Sequence, residues 1–160
     1  MKVIIALFSL IVAASAGCPP FWVQYRGQCY RYFNEPLTHL GATNFCMKFG
    51  SCDGQIGRLL SVENARTDNF IHLLLSDFVI EPPTFPTWLG LTSDPNNPDV
   101  WTWASGAPLL YTNWGNNQPG GNEPCARTLP NEMGHTWREV ACDRELRFIC
   151  EMSAAEPGLQ

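Results

Sequence analysis

Lysine is almost missing from this chain. Lys2 and Lys48 are its two examples, and the eight arginines, Arg26, Arg31, Arg58, Arg66, Arg127, Arg138, Arg144 and Arg147, are scattered along the sequence. A surface that tracks a phosphate backbone needs clustered basic side chains, so nucleic acid is not an expected partner. Catalytic signatures are also lacking. His39, His72 and His135 are dispersed, and neither a His-Glu-x-x-His pattern nor a Gly-x-Ser-x-Gly elbow occurs. Without a Cys-x-x-Cys pair or a Cys/His cluster at zinc spacing, a metal-thiolate centre is not expected. The absence of an Asn-x-Ser/Thr sequon removes ordinary N-linked glycosylation, and the absence of an internal period removes solenoid and coiled-coil architectures. After residue 16 no apolar run is long enough to cross a bilayer, so no membrane insertion is expected.

What is present begins with an export signal. Lys2 precedes an apolar run from Val3 to Ala14, and Ala14-Ser15-Ala16 supplies the small residues of a cleavage site, which together read as a secretory signal peptide over residues 1–16. The remaining chain, Gly17 to Gln160, suffices for one hydrophobic core, and one soluble, extracellular domain over residues 17–152 with a short tail at 153–160 is expected. All seven cysteines fall after the signal, where an oxidising compartment favours disulfides. An odd count leaves one over. The net charge of −5, or −6 without Lys2, is mildly acidic and compatible with cations.

Local pattern predicts an α+β fold. Alternating aromatic text from Tyr25 to Phe33 predicts an early strand. A first helix is expected from a Thr38 cap to Gly50, burying Leu40, Ala42, Phe45, Cys46 and Phe49. A second is expected from a Ser61 cap, with Glu63 near its positive end, Phe70, Leu73 and Leu74 on its buried stripe, and Pro82-Pro83 beyond its end. Turn-rich text then predicts a long irregular loop over residues 92–124, a length that is usually functional. Trp88, Trp101 and Trp103 stand in strand-like text and are assigned to the core, whereas Trp114 borders the loop.

Taken together, Cys18-Pro19, Cys29-Tyr30, Phe45-Cys46, Trp88-Leu89-Gly90-Leu91, Trp101-Thr102-Trp103, Asn113-Trp114, Cys125, Trp137, Cys142 and Phe148-Ile149-Cys150 resemble the C-type lectin domain family. The resemblance implies a C-type lectin-like fold with two helices, short antiparallel sheets and a long loop. It also implies the disulfides Cys18–Cys29, Cys46–Cys150 and Cys125–Cys142, and leaves Cys52 unpaired or interchain, in a disulfide-linked homodimer. Cys52 lies in Gly50 to Gly57, an insertion relative to the family's usual short connection. With the text from Cys29 to Asn34, that insertion resembles the lectin-like domains of echinoderm spicule-matrix proteins.

In sugar-binding members of the family, calcium sits in the long loop and coordinates sugar hydroxyls. By that resemblance Gln118, Glu123 and Glu139 are the candidate metal and sugar residues, with Asn113 and Asn122 as loop contacts and Pro119 as a cis proline. The set is incomplete. Gly120 stands where a side-chain oxygen belongs, and Arg138 places a guanidinium where an amide belongs, whereas calcium takes about six to eight oxygens. The nearest carboxylate pair for hydrolysis, Glu139 with Asp143, reads better as surface charge. Glu132, Glu139, Asp143 and Glu145 suggest instead a solvated acidic face able to meet mineral calcium. The expectation is therefore a non-enzymatic, secreted matrix component whose partner is an extracellular matrix protein, a mineral surface or a glycan. The alternative is a calcium-dependent, galactose-type defence lectin.

Overall fold

The computed structural model describes residues 17–50, 54–78, 85–131 and 134–155. The expectations for Cys52, for Glu132, for Pro82-Pro83, for the signal segment and for the last residues of the tail fall outside those ranges.

The chain builds β1 (Val23–Tyr25), β2 (Gln28–Leu37), α1 (His39–Cys46), β3 (Arg58–Leu59), α2 (Ala65–Phe78), β4 (Thr87–Asp94), β5 (Asn97–Trp103), β6 (Cys125–Asn131), β7 (Gly134–Val140) and β8 (Leu146–Ser153). The strands form one sheet in the order β1-β2-β8-β4-β6-β7, with β3 added on β8 and β5 on β4. The parallel pair is β4 with β8, and the other pairings are antiparallel. The short sheets expected from sequence are thus joined through β4 and β8 into one α+β layer.

Strand β4 explains that centrality. Its first five residues, Thr87 to Leu91, are all buried, as a strand covered on both faces requires. Trp88 points into one cluster with Ala42 and Cys46 of α1 and Phe148 of β8. Leu89 and Leu91 point into the other, with Ile71, Leu74 and Leu75 of α2 and with Trp101, Trp103 and Trp137. The core assignment of Trp88, Trp101 and Trp103 agrees with this packing.

Disulfides fasten the ends of the layer. Cys18–Cys29 ties the first residues to β2, Cys46–Cys150 ties α1 to β8, and Cys125–Cys142 ties β6 to the turn after β7. Gly17 also bridges to Ala155, just beyond the end of β8. The inserted segment is pinched at its base, where Gly50 bridges to Ile56 and the Gly57 N–H donates to the Phe49 carbonyl at 2.7 Å.

Both helices differ from expectation at their ends. Thr38 caps α1 as predicted, its Oγ1 accepting the Gly41 N–H at 3.1 Å. The helix nevertheless stops at Cys46, well short of Gly50, and Leu40 is 68% exposed because it lies on the outer side. Helix α2 is capped by Asn64 and not by Ser61: the Asn64 Oδ1 accepts the N–H groups of Arg66 and Thr67 at 3.1 and 3.0 Å. Ser61 is instead buried in extended chain, and Leu73 is 62% exposed while Ile71 and Leu75 take the inner positions. Arg58 and Glu151, paired across β3 and β8 at 2.9 Å, line a polar cavity of about 290 Å³ together with Tyr30, Ser61 and Glu63.

Candidate binding site in the long loop

Irregular chain begins later than the sequence pattern suggests. Residues 92–103 belong to the β4–β5 hairpin, whose turn is closed by the Asp94 Oδ1 accepting the Asn96 and Asn97 N–H groups at 2.7 and 3.1 Å. The long loop is therefore residues 104–124. It hangs on β7 by backbone bonds, with the Trp137 N–H donating to the Asn113 carbonyl at 2.8 Å and the Gly115 N–H donating to the Trp137 carbonyl at 2.9 Å.

Beneath the loop the buried Trp137 ring meets Trp103, Tyr111 and Trp114 edge-on, with centroids 5.4 to 5.8 Å apart. Trp114 also packs on Trp101 at 4.9 Å, so it belongs to the loop's apolar footing and is not held out for a sugar. Such edge-to-face contacts use the ring quadrupoles and fix the loop's height above the sheet.

Two carboxylates then fasten the loop from opposite sides. Asp68, in the first turn of α2, accepts the Tyr111 hydroxyl at 3.0 Å and the Asn113 Nδ2 at 2.7 Å. Burial raises the Asp68 pKa above the usual carboxylate range, and these two hydrogen bonds pull it back. Burial and the neighbouring Asp68 push the Tyr111 hydroxyl up to about 12, so it stays a donor at neutral pH. Sequence reasoning missed Asp68, although an acid in the first turn of α2 was a visible signal. It had placed Asn113 as a loop contact, and Asn113 contributes by anchoring the loop to α2.

The second carboxylate is Glu139. It accepts the N–H of Gly120 at 2.9 Å and also that of Gly121, and its own N–H donates to the Gln118 Oε1 at 2.9 Å. Gln118 and Glu139 are thus brought together as the resemblance implied, but they hold each other and the loop backbone. The Gln118–Pro119 peptide is cis. Gly120 is demanded by the close approach, since a Cβ there would stand 2.5 Å from the Asn117 carbonyl oxygen, and a Cβ on Gly121 would stand 2.8 Å from the Glu139 Oε1 and push that side chain out of the clasp. From sequence Gly120 counts only as a missing ligand, and Gly121 is given no part in the arrangement.

Other expected members are placed differently. Glu123 and Asn122 lie on the exposed part of the loop and make no hydrogen bond or ion pair among the described residues. Arg138 is not beside the site. It stands opposite Arg127 in the β6–β7 ladder, and side chains alternate along a strand, so it leaves on the sheet face opposite Glu139. Of the acidic face, Asp143 and Glu145 are exposed, whereas the Glu139 carboxylate is turned into the loop.

Calcium does not fit this arrangement. The Gln118 carbonyl oxygen and Glu139 Oε1 already accept backbone N–H groups, Gly120 has no side-chain oxygen, and no three acidic, histidine or cysteine side chains converge among the described residues. A cation entering here could reach the Glu139 Oε2, which accepts neither amide, but would have to find most of about six to eight oxygens elsewhere.

Comparison with known proteins places the scaffold. The Lectin C-type domain family model matches residues 41–152. The chain is 32% identical over 161 residues to an alpha-N-acetylgalactosamine-specific lectin of Patiria pectinifera, covering 91% of this chain and 94% of that protein. It is 30% identical over 135 residues to the human regenerating islet-derived protein 4, covering 84% and 80%. The crystal structure of human lithostathine superposes with a TM-score of 0.74 at 26% identity, covering 85% of this chain and 90% of that one.

Proposed function

The chain belongs to the C-type lectin domain family, a family of carbohydrate-binding proteins, and from that premise we propose that it is a secreted, non-enzymatic binding protein whose long loop is held by protein instead of calcium. In this reading residues 1–16 direct export, residues 17–152 form the binding domain, and residues 153–160 are a short tail. The single observation that carries it is the Glu139 clasp on Gly120, Gly121 and Gln118. A carboxylate that accepts two loop amides satisfies those donors and is itself stabilised as the anion, so the loop backbone is fixed by a protein group where a bound cation would otherwise organise it. The partner is then met by the protein surface, and the proposed setting is an extracellular matrix, including a mineralising one. That setting is motivated by the likeness of the text at Cys29 to Asn34 and Gly50 to Gly57 to spicule-matrix proteins, with Asp143 and Glu145 as exposed acids.

A second reading is a calcium-dependent, galactose-type lectin using Gln118, Glu123 and Glu139 after the clasp opens. It is favoured by the 32% identity to the starfish lectin whose name specifies α-N-acetylgalactosamine. Passage of the purified domain over immobilised α-N-acetylgalactosamine separates the two. Flow-through, or retention that persists in chelator, supports the calcium-free reading; retention in calcium and release by chelator supports the second. Adsorption to calcite or capture of a matrix protein tests the setting, and failure of both removes it.

A further inference from the structure

We propose that Arg127, Arg138 and Arg144 form a binding site for an oxyanion, a sulfate or phosphate group, on the sheet face opposite the long-loop clasp. This goes beyond the reading above and does not depend on whether calcium binds.

Three arginines far apart in sequence are gathered by two features of the fold. The β6–β7 register sets Arg127 directly opposite Arg138, and residues opposite each other in an antiparallel pair share a face. The Cys125–Cys142 disulfide then draws the turn that carries Arg144 to the same stretch of β6, two residues from Arg127. Trp88 is the β4 partner of Arg127, so the group sits at the rim of the cluster beneath α1.

Like charges directly opposite in a sheet are destabilising unless something neutralises them. Among the described residues no carboxylate does so. Among the described residues the ion pair is Arg58 with Glu151, and Asp143 and Glu145, which flank Arg144 in the chain, are exposed and bond to none of the three. The Arg127 Nε is buried without a hydrogen-bond partner, which is the most costly state for a guanidinium N–H. Burial, with Arg138 and Arg144 nearby, lowers the Arg127 pKa, as expected where positive charges crowd. Three of the other arginines are engaged: Arg58 pairs with Glu151, Arg147 lies 3.5 Å over the Phe85 ring and donates to Asn34, and Arg31 lies over the Phe21 and Phe33 rings. In an acidic protein, an uncompensated group of three planar forks matches a tetrahedral oxyanion, which offers several acceptors at one point. A group of three is too small to follow a nucleic-acid backbone, where affinity grows with the number of phosphates contacted.

The test uses the whole mature chain, with inorganic sulfate and a monosulfated galactose as probes and unsulfated galactose as control, at constant ionic strength. A saturable shift of the Arg127 Nε–H resonance is expected with sulfate-bearing probes. Arg138→Gln and Arg144→Gln, both at exposed positions, are each expected to weaken binding by about tenfold, the loss of one charge-assisted contact. Arg147→Gln is expected to leave it unchanged. Tighter binding of the sulfated sugar than of inorganic sulfate identifies an ester on a glycan as the source, and equal binding identifies the free anion. Absence of a saturable shift with either probe, or unchanged affinity in both variants, overturns the proposal.

Discussion

Replacing Glu139 by alanine removes the acceptor of the Gly120 and Gly121 N–H groups but keeps the backbone N–H that reaches Gln118. The perturbation is therefore confined to one side of the clasp. A hydrogen bond to a charged acceptor contributes about 1.5 to 3 kcal/mol when shielded, and half-exposure here reduces each to about 1 kcal/mol. Two such bonds give about 2 kcal/mol, which is about a thirtyfold change in the local opening equilibrium. Because the loop is separately anchored through Asp68 and through the backbone of Trp137, the loss should appear as local opening and not as global unfolding. Amide hydrogen exchange resolves this. The Gly120 and Gly121 amides should exchange about thirtyfold faster in Glu139→Ala, while the Trp137 amide keeps its rate. Glu139→Gln, which keeps an acceptor without the charge, should fall between. Unchanged exchange at Gly120 and Gly121 in Glu139→Ala would refute the clasp.

Three further perturbations probe the scaffold and its charges. Serine at both Cys46 and Cys150 opens a span of 104 residues, and denaturant unfolding should show a loss of about 4 to 5 kcal/mol on the chain-entropy model. Burial holds the Glu151 carboxyl up to about 7 from its ordinary 4.5, against the pull of Arg58. The folded state therefore binds this proton more tightly than the unfolded one, so the stabilisation is fully present below pH 4.5 and fades as pH rises through 7, by about 3 kcal/mol in all. Glu151→Gln should flatten that slope in a melting series from pH 5 to 8; an equally steep slope in the variant would assign it to other groups. Asp68→Ala removes the carboxylate that accepts from the Tyr111 hydroxyl and the Asn113 amide and should cost about 2 kcal/mol in urea titration, with Asp68→Asn recovering part.

Much of the scaffold was legible because its signals are local or ordinal. The cysteine order, the Trp88-Leu89-Gly90-Leu91 run and the Thr38 cap each act through neighbours in the chain or through a fixed sequence of elements. Helix starts were less legible where two capping residues competed: Ser61 and Asn64 both precede α2, and the burial of Ser61 in extended chain decided for Asn64. Leu40 and Leu73 were placed on the inner stripe by helical spacing, yet each lies on the solvent side of a helix whose inner stripe is filled by its neighbours. The loop's start was misplaced because Asp94 to Asn97 reads as loop, although it is the turn of a hairpin.

The site was half legible. By resemblance Gln118 and Glu139 could be named from their triplets and Glu123 from its place two residues before Cys125, but whether a carboxylate meets a cation or a backbone amide depends on atoms 18 or 19 residues away, and no spacing rule encodes that. Arg138 illustrates the same limit. Beside Glu139 in sequence it reads as an intruder in a metal site, and the pleat sends it to the other face, opposite Arg127. Asp68 anchors the loop from a helix more than 40 residues upstream, a contact that only the packing of α2 under the loop creates.

Calcium titration of the purified domain by calorimetry tests the central claim most directly. The Glu139 clasp predicts no saturable heat at neutral pH up to millimolar calcium, and an unfolding temperature that is the same in calcium and in chelator, since sensor and extracellular calcium sites bind at about 10⁻⁷ to 10⁻³ M. One-site binding with release of the Gly120 and Gly121 amides from Glu139 would contradict it and restore the calcium-bridged reading.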